Sequence, residues 1–253
     1  HVVVGCMEGV TIFLSIEIQI SRVYVSQHAA ALFKPSKSVI RDRNIALRDE
    51  YVVRAFLDRD RDGLLGRPET DWARQSAMTE LGNGLYEAKY HEDALSVEEA
   101  NLSMLRHIGA SEGDFLTAQS NLASTYHMLG RLKETLRVRQ DTYSGCVRLY
   151  GKEHKESLHE AYIYATILSE LNRFAETKSL LRESMPVARR ILGTGQDLTL
   201  KMRTVYATAL YKDDDATLDD LHEAVTMLED VERISRRVFG GAHPTTVGIA
   251  RDL

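Results

Sequence analysis

The sequence predicts an all-α fold: a right-handed superhelical stack, or α-solenoid, of about four helix pairs over residues 75–253. Three observations predict it. Residues recur at a fixed interval, with Gly109, Gly151 and Gly193 standing 42 apart, as do Leu116, Leu158 and Leu200, and Arg106, Arg148 and Arg190. Self-similarity at such a period marks a chain of stacked supersecondary units. Within each repeat the apolar residues fall at helical spacing, and the run stops at a residue that tolerates the left-handed conformation of a helix C-terminus. Only four prolines occur in 253 residues, which suits long helices, because proline removes a helix N–H donor.

Composition bounds the rest. Hydrophobic residues at 43% and charged residues at 27% are ordinary for a globular protein. A net charge of −5 argues against nucleic acid as a partner, since such proteins usually carry a basic face. Cys6 and Cys146 are too few and too far apart for a disulfide framework or a four-ligand zinc site, so a reducing, cytoplasmic setting is expected. The chain begins at His1 rather than Met, so its natural start is expected upstream. The apolar stretch from Val2 to Ile20 is broken by Glu8 and Glu17, and no membrane span is expected.

Residues 1–37 read as an uncertain segment, strand-like or disordered. From Val10 to Ser21, apolar residues alternate with mostly polar ones, a period of two that fits a half-buried strand. A lone strand needs a ladder partner, and only Val2–Val4 or Val23–Val25 offers one. An edge addition to another protein, the remnant of an incomplete domain and a disordered tail are the open alternatives.

Residues 38–74 read as helix-loop-helix. Asp58, Asp60 and Asp62 stand first, third and fifth in a twelve-residue run, Gly63 sits sixth, and Glu69 stands twelfth. That is the EF-hand calcium loop, in which carboxylates ligate, glycine makes the sharp turn and the last glutamate binds bidentately. Leu64 would contribute its backbone carbonyl and Gly66 a water-mediated contact. Against calcium stand the single loop, the opposing charges of Arg59, Arg61 and Arg67, and Thr70 where an apolar residue is usual. The alternative is an acidic, arginine-rich linker.

The repeats follow. The first is loose, with Leu81, Leu85 and Tyr86, then Ala94, Leu102, Leu105 and Ile108. In the second, Leu122, Ala123, Tyr126 and Leu129 form one face of a helix over 115–129, Gly130 ends it, and a partner helix runs from 132 to 149. The third repeats this with Tyr164, Ala165, Leu168 and Leu171, turns at Asn172, and continues over 174–192, where Pro186 is expected to kink the helix or shift its start. The fourth uses Val205, Tyr206, Ala207 and Leu210, then a helix from 218 to 239. Arg237 comes 47 residues after Arg190, so a five-residue insertion is assigned to 212–218, around Asp213-Asp214-Asp215.

With those residues in view, the chain resembles a tetratricopeptide repeat of the 42-residue, kinesin-light-chain-like kind. Asn121-Leu-Ala-Ser-Thr-Tyr126 with Leu129-Gly-Arg-Leu132 carries the repeat, and Gly151-Lys-Glu-His154-Lys-Glu-Ser157-Leu158 carries the inter-repeat signature, which returns at Gly240, His243 and Thr246. The resemblance covers about residues 75–253. Where the family places a small alanine after the turn, this chain has Thr135 and Thr177. At the later aromatic position it has Arg139. Looser or locally rearranged packing is expected there.

Helix pairs of this size cannot bury their own apolar faces, so neighbours stack. The first helices then line a groove suited to an extended peptide or a partner helix. Ser120, Asn121, Ser124 and His127 are the candidates from one repeat. His159, Tyr162 and Thr166 follow from the next, then Lys201, Thr204 and Thr208. The resemblance implies that Asn121 would hold a peptide backbone, but its equivalents at 42 and 84 residues on are Ile163 and Val205, so no regular asparagine ladder exists. No phosphate loop, zincin helix or nucleophile elbow occurs, and Cys146 reads as a core thiol. The expected function is therefore a non-enzymatic protein-interaction module without a cofactor, unless the 58–69 loop takes calcium. The alternatives are a calcium-responsive adaptor and the regulatory subunit of an enzyme complex.

Overall fold

A computed structural model describes residues 72–241, 243 and 246–248. The strand-like segment at 1–37 and the calcium-loop candidate at 58–69 lie outside the described residues. Those described are helical, with no strand among them, and their contacts divide them into two compact units, one ending at Arg131 and one beginning at Leu132.

The first unit holds α1 (Trp72–Glu87), α2 (His91–His107) and α3 (Glu112–Met128). Met78, Leu81 and Leu85 of α1 meet Ala94, Val97 and Met104 of α2 in one apolar cluster. Their spacing of three, four and seven puts them on one face of each helix. Gly82 lets these helices approach: a Cβ there would stand 2.9 Å from Glu98 Cγ. The α1–α2 turn uses Lys89, whose φ of 67° is one that the sequence does not flag. α3 begins at Ser111, whose hydroxyl accepts from the Asp114 amide at 3.2 Å. This is a side-chain cap of the kind worth about 1 kcal/mol.

The second unit holds α4 (Leu132–Tyr150), α5 (Lys155–Glu170), α6 (Phe174–Ile191), α7 (Asp197–Tyr211) and α8 (Leu218–Phe239). Each helix packs on the next, and α5 also touches α7. That is the arrangement of stacked helix pairs. Leu158 and Ala165 of α5, Leu181 and Ala188 of α6, Tyr206, Ala207 and Leu210 of α7, and Ala224 and Leu228 of α8 form one continuous core. Asn172 turns α5 into α6 with φ 57°, and the Arg173 amide closes onto the Leu168 carbonyl at 2.8 Å. The inserted residues lie between α7 and α8, where Lys178 meets Asp213 at 2.6 Å. Thr217 and Asp220 then form a reciprocal capping box.

Helix α6 starts at Phe174 and runs unbroken through Pro186 to Ile191, so the proline does not displace its start. Pro186 sits on the exposed side, and it forfeits one backbone bond while the buried side holds the helix in place. Threonine in place of alanine does not open the helix seam either: Thr135 and Thr177 are both fully buried. Thr177 returns its hydroxyl to the Arg173 carbonyl at 3.0 Å, so the extra polar atom is satisfied within its own helix. Arg139, by contrast, is accommodated by a local change, an ion pair with Glu160.

Candidate functional site

The candidate residues fall on first helices, in a separate set in each compact unit. In the first unit Ser120, Asn121, Ser124 and His127 stand half-buried on α3. Asn121 Nδ2 donates to Asn83 Oδ1 on α1 at 2.9 Å. The two side chains are 38 residues apart, off the 42-residue register, which is why periodicity alone does not reveal the pair. Ser124 donates to the Ser120 carbonyl at 3.1 Å.

In the second unit His159 is exposed on α5, while Tyr162 and Thr166 are half-buried. Lys201, Thr204 and Thr208 are half-buried on α7. A cavity of about 210 Å³ lies between the two helices, lined by Thr166, Ser169, Glu170, Val205, Thr208 and Lys212. Two of the sequence candidates, Thr166 and Thr208, thus face each other across it, with Val205 supplying apolar wall. Ser169, Glu170 and Lys212 complete the lining and were missed. They sit three or four residues beyond Thr166 and Thr208, so extending the same helical face by one turn would have found them.

The chemistry of this wall is shape and hydrogen bonding. Thr166 donates to the Tyr162 carbonyl at 3.0 Å and Thr204 to the Leu200 carbonyl at 3.1 Å. Lys201 is held by Asp197 one turn away, at 2.6 Å. Glu170 and Lys212 put opposite charges at the cavity.

Two buried groups lie away from these faces. Glu98 on α2 is 5% exposed, and its Oε2 has no hydrogen-bond partner. Burial pushes its carboxyl up to about 7, an effect that the Thr125 hydroxyl offsets only in part. Burial, followed by the carboxylates of Glu160 and Glu156, pushes the Cys146 thiol up to about 11, the reverse of what a nucleophile needs. Among the described residues no three His, Cys, Asp or Glu side chains are placed to hold a metal ion. No helix among them is long and apolar enough to cross a membrane.

Residues 115–156 match the tetratricopeptide repeat family. No curated protein matches the sequence. Among solved structures, a point variant of a Podosopora anserina protein described as a kinesin light chain with nearly identical TPR-like repeats is 20% identical. It has a TM-score of 0.60 and covers 76% of this chain and 86% of its own. Another structure of the protein under that description gives 19% identity and a TM-score of 0.59, over 77% of this chain and 87% of that one. BtubC (BKLC) from P. vanneervenii gives 14% and 0.56, over 88% and 82%. Residues 115–156 thus carry a tetratricopeptide repeat, and the chain shares the all-α, TPR-like repeat fold of these kinesin-light-chain-like structures.

Proposed function

We propose that this chain is a scaffold that holds a peptide or helix of a protein partner against its first-helix faces. The observation that carries the reading is the cavity between α5 and α7, walled by residues of two successive first helices. Tetratricopeptide folds generally serve protein–protein interaction, and a concave surface with apolar wall and a few polar groups is the usual form of a recognition site. Thr166 and Thr208 would seat an apolar side chain of the partner over Val205, and Glu170 and Lys212 would set its orientation. On α3, the Asn121 amide would offer its remaining capacity to the partner backbone. Affinity capture by the full chain tests this against a variant carrying Asn121→Ala, His127→Ala and Tyr162→Ala. Loss of specific partners is the expected result, and an identical set captured by both would remove the groove assignment.

We also propose calcium binding by the 58–69 loop, on the strength of its twelve-residue pattern alone. Titration calorimetry of the full chain with calcium should give measurable heat that Glu69→Gln removes. No heat from the unmodified chain would dispose of the idea.

A further inference from the structure

We propose that Glu98 is a proton-operated latch, which holds α1 against α2 while its carboxyl keeps a proton and releases that helix when the proton leaves. The seam is built around this side chain. Gly82 of α1 lies directly over it: a Cβ there would stand 2.9 Å from Glu98 Cγ and 3.5 Å from Oε1. Helix backbone, rather than a side chain that could swing aside, therefore covers the carboxyl. Its Oε2 is buried and accepts no hydrogen bond. Asn101, three residues along the same face of α2, sends its amide to Thr79 of α1 at 3.1 Å instead.

No opposite charge is at hand to steady the ionised form. Among the described residues two elements pack on α2, namely α1 and α3. Gly82 faces the carboxyl from α1 and the Thr125 hydroxyl from α3, and no charged group of α1, α2 or α3 acts on it. One hydroxyl falls well short of what a carboxylate can accept, and a buried charge without a partner is strongly disfavoured. Burial accordingly pushes the carboxyl up to about 7, and Thr125 lowers it only in part. Ionisation therefore requires water at the carboxyl, and the covering helix has to leave to admit it. With α1 away, the carboxyl returns to its ordinary value of 4.5. The open population thus grows as pH rises from about 4.5 to 7 and levels off above that.

Helix α1 is the element fitted to leave. It carries Gly82 and Gly84 in its interior, and glycine is the poorest helix former after proline. It has no acidic residue in its first turn and no basic residue in its last, so neither end is matched to the helix dipole. Among the described residues it packs chiefly on α2 and only lightly on α3. The other cover, α3, is capped by Ser111. Docking of α1 also sets Asn83 against Asn121, so the same proton decides whether these two first helices share a face. The latch itself does not depend on the proposed groove.

Hydrogen exchange of the full chain, followed by mass spectrometry at intervals from pH 5 to pH 8 with intrinsic amide rates divided out, tests this. Residues 72–87 should be less protected than α2 and α3 throughout, and their protection should fall at least about tenfold across that range. Glu98→Gln should abolish the fall. Thr125→Val removes the hydroxyl that favours the ionised form, so in that variant the fall should move to higher pH. Constant protection of α1 from pH 5 to 8, an equal fall in Glu98→Gln, or a Thr125→Val transition at unchanged or lower pH would overturn the proposal. So would exchange of α1 at the same rate as α2 and α3, because the whole unit would then open together and no latch would exist.

Discussion

Arg139 on α4 meets Glu160 on α5 at 3.3 Å, and both side chains are almost wholly buried. The arginine occupies the position where the repeat pattern places an aromatic ring, so an ion pair does the work of apolar packing between these helices. Its opposite charge offsets the desolvation that two buried ions would otherwise suffer.

Removing one member should therefore be worse than removing both. Arg139→Met or Glu160→Gln alone leaves a buried group without its partner and should cost about 3–5 kcal/mol. Arg139→Met with Glu160→Leu should recover most of that loss. Urea denaturation of the two single variants and the double variant measures the coupling directly.

Glu98 should make stability fall as pH rises through the neutral range. Its carboxyl is raised from the usual 4.5 to about 7 by burial, so between those values the folded chain keeps a proton that the unfolded chain releases. Its stabilising share is complete below about pH 4.5 and is lost as pH climbs through 7, a change on the order of 3 kcal/mol. Thermal melts between pH 5 and 8 should show this decline, and Glu98→Gln should remove it. A wild-type curve parallel to that of the glutamine variant would contradict the assignment.

A third expectation comes from comparing repeats. Ser235 and Thr246 share a hydrogen bond of 2.6 Å at the end of α8. The equivalent pair 47 residues earlier is Ala188 and Thr199, and the Thr199 hydroxyl is buried without a partner. Ala188→Ser should supply that partner and raise stability by about 1 kcal/mol. Denaturation midpoints for Ala188→Ser and the reverse change Ser235→Ala should move in opposite directions.

Ala165 and Ala207 have no exposed surface and lie in the core shared by α5, α6, α7 and α8. Enlarging either to leucine should overpack the core and cost about 1–3 kcal/mol. Ala123→Leu, equally buried on α3, should do the same in the first compact unit. Chemical denaturation of each variant would register the loss as a lower midpoint.

The helices were legible from the sequence because their signals are local. The glycines at 109, 130, 151, 193 and 240 all have positive φ, and they end the helices where the period and the apolar faces put them. The groove was half legible. Helical spacing led to Thr166 and Thr208, but the neighbours that close the cavity with them depend on how α5 and α7 approach.

The sequence by itself determined the all-α class, the period and the helix ends marked by glycine, because backbone preference and apolar spacing act within a few turns. The tertiary structure alone decided which polar residues meet: Arg139 with Glu160, Asn121 with Asn83, and Glu98 with no partner for its Oε2. Such meetings depend on side chains brought together across helices, where a displacement of a few ångströms makes or breaks a hydrogen bond and no sequence interval records it.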